Sequence, residues 1–276
     1  MTAYHRPDSL TEALAIAADG PVALAAGCTD LYPATPAQVL LGPVLDLTAI
    51  ADLRGITRTD GGGWRIGATT NWAAIRAADL PPAFDGLKQA AAEVGSLQIQ
   101  ATGTIGGNLC NASPAADGIP PLLTLDAGVE LASATARRQM PLADFLTGPR
   151  RTARQGGEIL TAVLIPPVAG QGGFLKLGAR KYLVISIAMV AARLAVDGDR
   201  IAAAALAVGA CSATAQRLPA QEAALTGLSP AEAAAAIDPA LVRPALSPID
   251  DIRADADYRA DAAIELLRRL VGGMAS

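Results

Sequence analysis

Residues 102–117 read TGTIGGNLCNASPAAD, with Gly103, Gly106 and Gly107 close together ahead of two asparagines, a Ser-Pro and an acid. Glycine loses more backbone entropy on folding than any other residue, so such a cluster marks a place where something must come close to the main chain. A tight turn, a neighbouring strand or a bound phosphate would each explain it. A second glycine-marked turn, AAGCTDL at 25–31, precedes it in the chain. Backbone N–H groups at glycine turns can converge on a pyrophosphate without help from lysine. Thr29 and Thr104 could add hydroxyl donors. Neither turn fits G-x-G-x-x-G, and the chain has no G-x-x-x-x-G-K-[ST].

The remaining chemistry-bearing residues are sparse. His5 is the only histidine and sits near the N-terminus, so no Ser-His-Asp triad is expected, and a multi-histidine zinc site and H-E-x-x-H are excluded. Cys28, Cys110 and Cys211 lie far apart, too few for an iron–sulfur cluster held by four thiolates and unsuited to a disulfide framework. No catalytic residue and no metal ligand set is expected. A chain so poorly equipped points to borrowed chemistry, that is, to a cofactor.

Bulk properties bound the partners. A net charge of −4 argues against nucleic acid, which demands a basic footprint. With 51% hydrophobic and 17% charged residues, core material is plentiful and wholesale disorder is excluded. No apolar run reaches the roughly 18 residues that span a bilayer. The N-terminus MTAYHRPDSL carries no basic-then-apolar signal, so a cytoplasmic location is expected.

The elements that must position the two turns follow from pattern. DSLTEALAIAA (8–18) reads as an amphipathic helix capped by Asp8 or Ser9, and 22–27 and 43–50 read as short strands completing a small β-α-β unit. Gly61–Gly63 make a hairpin whose return strand is WRIGA, and Thr70 is expected to cap a helix through NWAAIRAA. A helix over PPAFDGLKQAAAEVG leads into the glycine cluster; a helix and strand over PPLLTLDAGVELAS and a strand at 158–167 follow it. VAGQGG (168–173) looks like a boundary. Beyond it come hairpins around Asp197-Gly198 and then helices ending in ADYRADAAIELLRRLVGG, an α+β pattern.

AAGCTDLYP, GTIGGNLCNASPAAD, FLTGPRRTARQGGEIL and SPIDDIRADADYR, in this order, resemble blocks of the FAD-binding medium subunit of the molybdenum hydroxylase (xanthine dehydrogenase and carbon monoxide dehydrogenase flavoprotein) family. The blocks extend over nearly the whole chain. The resemblance implies a two-subdomain PCMH-type FAD module at 1–167, divided near residue 55 into 1–55 and 56–167, followed by a C-terminal α+β domain of the CO dehydrogenase flavoprotein type at 168–276. It implies non-covalent FAD and an electron relay, with [2Fe-2S] clusters on a small partner subunit and molybdopterin on a large one. A dimer of such heterotrimers, and NAD or another external acceptor, complete the expected system. Carried over position by position, the cofactor residues are Leu24, Ala25, Ala26, Gly27, Cys28, Thr29, Asp30 and Leu31 in the first turn and Thr104, Ile105, Gly106, Gly107 and Asn108 in the second. Asp117 should accept hydrogen bonds from sugar or ribityl hydroxyls, and Val94, Leu160 and Lys176 should approach the cofactor.

One departure stands out. The resemblance implies a Gly-Gly pair, usual in the family's first turn, where this chain has Gly27-Cys28. Cys28 is open to two readings, a redox-sensitive thiol or a buried inert one. A self-contained flavin oxidase and an assembly protein with a degenerate flavin pocket are the alternative functions. The single histidine and the scarcity of aromatics speak against the first.

Overall fold

The computed structural model describes residues 3–36 and 39–274. Its first sheet is parallel, built from β1 (Tyr4–His5), β2 (Ala23–Ala25) and β3 (Val44–Asp46) in the order β1-β3-β2. Helix α1 (Leu10–Ala18) joins β1 to β2 and starts at Ser9, whose hydroxyl accepts from the Glu12 amide at 3.3 Å. It buries Leu10, Ala13, Leu14 and Ala17 against Leu45, Leu47, Ile50 and Leu53. The expected β-α-β unit is present; β1 has only two residues, too short for any periodicity to announce it.

The second sheet is antiparallel. Strands β4 (Ile56–Arg58) and β5 (Trp64–Gly67) form the glycine hairpin, and β6 (Gly128–Ala132) and β7 (Arg137–Pro141) form another. A two-stranded pair, β8 (Leu146–Gly148) and β9 (Arg151–Thr152), precedes β10 (Ile159–Ile165), which inserts between the hairpins to give β4-β5-β10-β6-β7. Helices α2 (Trp72–Ala77), α3 (Asp85–Glu93), α4 (Leu97–Thr102), α5 (Ile105–Asn111), α6 (Ile119–Thr124) and α7 (Leu142–Phe145) accompany it. Their apolar residues, among them Trp72, Ile75, Leu87, Ile105, Leu109 and Leu122, form one core with Ile66, Val129, Leu131 and Val163 of the sheet.

Two local expectations are corrected. The cap of α2 is Asn71, whose side chain accepts from the Ala74 amide at 2.8 Å; the Thr70 hydroxyl instead accepts from the Gly55 amide at 2.9 Å. The glycine cluster is not an open turn but two short helices, α4 and α5, meeting at Gly103-Thr104. Ser96 and Thr104 cap them, each hydroxyl accepting from an amide three residues on.

The third sheet, β11 (Gln171–Leu177), β12 (Ala188–Asp197), β13 (Arg200–Gly209) and β14 (Gln216–Arg217), is an antiparallel meander in that order. Its central hairpin pairs Asp197 with Arg200 around Gly198, whose φ of +62° only glycine adopts without cost. Helices α8 (Pro219–Leu225), α9 (Pro230–Ala233), α10 (Pro239–Val242) and α11 (Ala256–Gly273) cover one face. There Ile264, Leu267 and Val271 of α11 pack on Val190, Leu206 and Val208.

Two of the glycines that read as a boundary, Gly172 and Gly173, lie in β11 and serve as a contact surface. A Cβ on Gly172 would sit 2.3 Å from the Ala83 carbonyl oxygen, and one on Gly86 of α3 would sit 2.8 Å from the Gly173 carbonyl oxygen. The start of α3 therefore lies backbone-to-backbone on β11, and Ala90, Phe174, Met189 and Ala191 fill the adjoining space. Gly172→Val should force the two apart. Overpacking of this kind costs about 1–3 kcal/mol, to be read as a lowered midpoint in urea with the m-value unchanged.

Candidate functional site

Strand β2 ends at Ala25, and the chain then passes Gly27 directly over the end of α4. A Cβ on Gly27 would lie 2.1 Å from the Thr102 carbonyl oxygen and 2.8 Å from the Gly103 Cα, so only glycine permits this crossing. Cys28 follows with φ +57°, a left-handed conformation that costs an L-residue roughly 1–2 kcal/mol. The cysteine accepts the strain. Its thiol donates to the Ala26 carbonyl at 3.5 Å, and burial pushes its pKa up, so it remains an un-ionised thiol at neutral pH. The inert reading of Cys28 is the one its surroundings favour. From Cys28 onward the chain makes one open helical turn, with the Tyr32 and Ala34 amides donating to the Cys28 and Asp30 carbonyls. The amides of Gly27 through Leu31 donate to no protein acceptor among the described residues.

The second turn has the opposite character. The Ile105 amide donates to the Thr70 carbonyl, Gly106 to Ala68, Gly107 to the Thr104 hydroxyl and Asn108 to the Thr104 carbonyl. Gly106 is buried against β5's end, where a Cβ would stand 2.7 Å from both Cβ and carbonyl oxygen of Ala68. Gly107 is different: apart from its own cap, the Thr104 hydroxyl at 2.9 Å, nothing stands before it. The adjacent glycines thus have separate duties, Gly106 toward the protein and Gly107 toward open space.

Between these turns lies a cleft of about 700 Å³, within the range typical of small-molecule sites. Of the sequence-derived residues it brings together Leu24, Ala26, Gly27, Cys28, Thr29, Asp30 and Leu31 with Val94, Thr104, Gly106, Gly107, Asn108 and Leu160. Ala25 and Ile105 are buried in the protein instead. Asp117 and Lys176 are absent from the lining. They pair with each other, Lys176 Nζ donating to Asp117 Oδ2 at 2.6 Å, while Ser186 Oγ donates to Asp117 Oδ1 at 2.7 Å. Burial pushes the Asp117 carboxyl up, and the Lys176 ammonium and Ser186 hydroxyl pull it back. Lys176 also reaches the Glu93 carbonyl at 3.5 Å, next to Val94 of the cleft.

Sequence reasoning missed Arg150, Thr152 and Arg154, which line the same cleft. Their signal was present in FLTGPRRTARQGGEIL, where three arginines in five residues follow a Gly-Pro turn. Cys110 is also in the lining, its thiol pushed up to about 11 by burial.

These features fit a dinucleotide such as FAD. Unpaired amides at 27–31 can receive a diphosphate, Gly107 leaves the main chain approachable, and the buried Asn108 Oδ1 has no protein donor. Gly107→Val should therefore abolish binding of FAD with a smaller loss of melting temperature than Gly106→Val, since it meets only the Thr104 cap. Gly106→Val should lower the melting temperature first, because its branched side chain meets Ala68. Parallel FAD titrations and thermal melts of the two variants check this division.

No helix among the described residues is long and apolar enough to cross a membrane. Residues 1–168 match the profile of the FAD binding domain in molybdopterin dehydrogenase, and residues 174–274 match the CO dehydrogenase flavoprotein C-terminal domain. The chain is 33% identical over 221 residues to the xanthine dehydrogenase FAD-binding subunit of Escherichia coli O157:H7, covering 76% of this chain and 74% of that one. It is 33% identical over 281 residues to the carbon monoxide dehydrogenase medium chain of Afipia carboxidovorans, covering 97% and 94%. A chain of the reconstituted CO dehydrogenase from Oligotropha carboxidovorans superposes with a TM-score of 0.90 at 28% identity, covering 100% and 98%. With more than half of its length inside the first profile, the chain belongs to the FAD-binding subunit family of the molybdopterin dehydrogenases.

Proposed function

We propose that the chain binds FAD non-covalently in this cleft and serves as the electron-relay subunit of a molybdenum hydroxylase. The observation that carries the reading is the pairing of unpaired amides at 27–31 with the open face of Gly107 across one cleft. Bound FAD would supply the ability to take electrons singly and pass on two. The chain's own residues bind and orient it. Gly27 through Leu31 and Thr104 through Asn108 hold the diphosphate region, and Leu24, Val94 and Leu160 give apolar walls. Asp117 and Lys176 pair with each other outside the lining, and their role at the cofactor's sugar or ribityl hydroxyls rests on the resemblance. His5 lies in β1 outside the cleft lining, which favours non-covalent attachment.

The reading includes a small partner carrying [2Fe-2S] clusters, a large one carrying molybdopterin, a dimer of the resulting heterotrimers and an external acceptor such as NAD. The names of the relatives support such partners, and Cys28, Cys110 and Cys211, all free thiols, supply no cluster. Free thiols also favour the reducing cytoplasm. We further assign the FAD module to 1–167, with subdomains near 1–55 and 56–167, and the C-terminal domain to 168–276. The two profile matches support the main division.

The test is anaerobic. The purified chain should show flavin absorbance that is not bleached by purines, aldehydes or azaheterocycles, and bleaching should begin once the cluster and molybdopterin subunits are added. Bleaching by the chain alone at about 1 s⁻¹ or faster, a rate typical of enzymes, would make it a self-sufficient oxidase. A colourless chain that rejects added FAD would contradict the binding itself.

A further inference from the structure

In a chain of net charge −4, the charged side chains lining the cleft are Arg150, Arg154 and Asp30, an excess of positive charge. Neither arginine has a carboxylate within salt-bridge reach among the described residues. The acid nearest in sequence to Arg154, Glu158, is held by Arg138 at 2.7 Å. Both guanidinium groups are aimed by neutral acceptors: Arg150 donates to the Asn111 side-chain oxygen, and Arg154 donates to the Glu158 carbonyl at 2.8 Å. Such contacts fix direction without a direct ion pair, Arg154 acting on the Glu158 carboxylate only at longer range.

The backbone at Arg150 is also held in place at a cost. Its φ is +58°, left-handed for a long-chain residue, and its amide donates at 2.9 Å to the carbonyl of Ala112, itself left-handed at +45° and the cap of α5. Strained residues of this kind persist where the surroundings hold them, and they cluster at ligand sites. Cys28, another of the left-handed residues, lines the same cleft. A cleft with low-dielectric walls and one excess sign of charge concentrates ligands of the other sign.

We propose that Arg150 and Arg154 form an anion-binding wall of the cleft that receives a nucleotide diphosphate. This deepens the FAD reading and uses residues outside the two glycine turns. A diphosphate could come from the bound FAD or from a second, acceptor dinucleotide. Guanidinium groups suit either, since their planar fork gives paired, charge-assisted hydrogen bonds to phosphate oxygens.

ADP is the probe, because it carries the diphosphate without the isoalloxazine ring. Nucleotide-free full-length chain and FAD-loaded chain are titrated with ADP by calorimetry at two salt concentrations. The proteins are wild type, Arg150→Gln with Arg154→Gln, and Arg150→Lys with Arg154→Lys. The glutamine pair should weaken ADP by roughly tenfold or more, the scale of charge-assisted bonds, and should blunt the salt dependence. The lysine pair should recover part of the affinity, and melting temperatures should stay together because both side chains are exposed. An effect confined to nucleotide-free chain assigns the wall to the FAD diphosphate, and an effect that persists in FAD-loaded chain assigns it to a second dinucleotide. Equal ADP affinity and salt dependence in wild type and the glutamine pair, in both forms, would overturn the proposal. ADP binding that depends on the arginines in a chain that rejects FAD would sustain it while removing the FAD reading.

Discussion

The site depends on one contact that involves no side chain. Gly27 crosses the end of α4 so closely that a methyl group would overlap the Thr102 carbonyl. That crossing brings the chain leaving β2, in the first sheet, against the α4–α5 junction beside the second sheet. It turns two separate glycine segments into the two sides of one cleft. The constraint is geometric and unforgiving, because neither partner can rotate away as a side chain would. Cys28 then follows in a left-handed conformation that its side chain disfavours, so the strain of the turn falls on the residue next to the crossing. The arrangement also explains why the amides from Gly27 to Leu31 are free. The strand pairing of β2 has ended, and the open turn that begins at Cys28 cannot satisfy its own first N–H groups.

The rest of the molecule supports this junction from behind. Asp117, at the entry to α6, is gripped by Lys176 of β11 and by Ser186 just ahead of β12. Arg193 of β12 donates to the Thr124 carbonyl at 2.7 Å and to Asp126 at 3.0 Å, and Arg217 of β14 reaches the same carboxylate at 2.7 Å. Arg259 of α11, almost fully buried, donates to the Ile187 carbonyl and to Asp251 at 2.6 Å each. The side chains of Asp117, Lys176, Arg193 and Arg259 are buried, and buried charges are poor sources of net stability yet costly to leave half-paired. Their effect is to fix how the third sheet sits against α6 and α3, and α3 ends at Val94 in the cleft lining.

Much of this was legible in the sequence. The long, strongly patterned elements, α1, α11, β10 and the Asp197-Gly198 hairpin, follow from periodicity and turn chemistry. The two cleft turns were identifiable as a pair because both join glycine to a threonine and both lie in blocks that resemble the family. What the sequence concealed was the partner of each glycine. Gly106 and Gly107 look alike in a string, but one faces Ala68 and the other faces open space, a distinction created only by tertiary contact. The VAGQGG segment lies at the junction of the two profile matches, and its composition concealed that Gly172 and Gly173 also allow α3 to rest on β11. Asp117 and Lys176 lie 59 positions apart, a separation at which no local pattern reveals pairing. Arg150 and Arg154 were in view but had no motif to give them a role.

The close approach at Gly27 can be tested by itself. Gly27→Ala adds a single methyl group and no charge, and should separate the two turns. FAD titration of this variant beside wild type, with a thermal melt of each, is the most direct measurement. At least a tenfold loss of FAD affinity is expected, of the order of 1.4 kcal/mol or more, accompanied by a lowered melting temperature from the overlap with Thr102. FAD bound as tightly by Gly27→Ala as by wild type would contradict the claim that this backbone crossing builds the cofactor cleft.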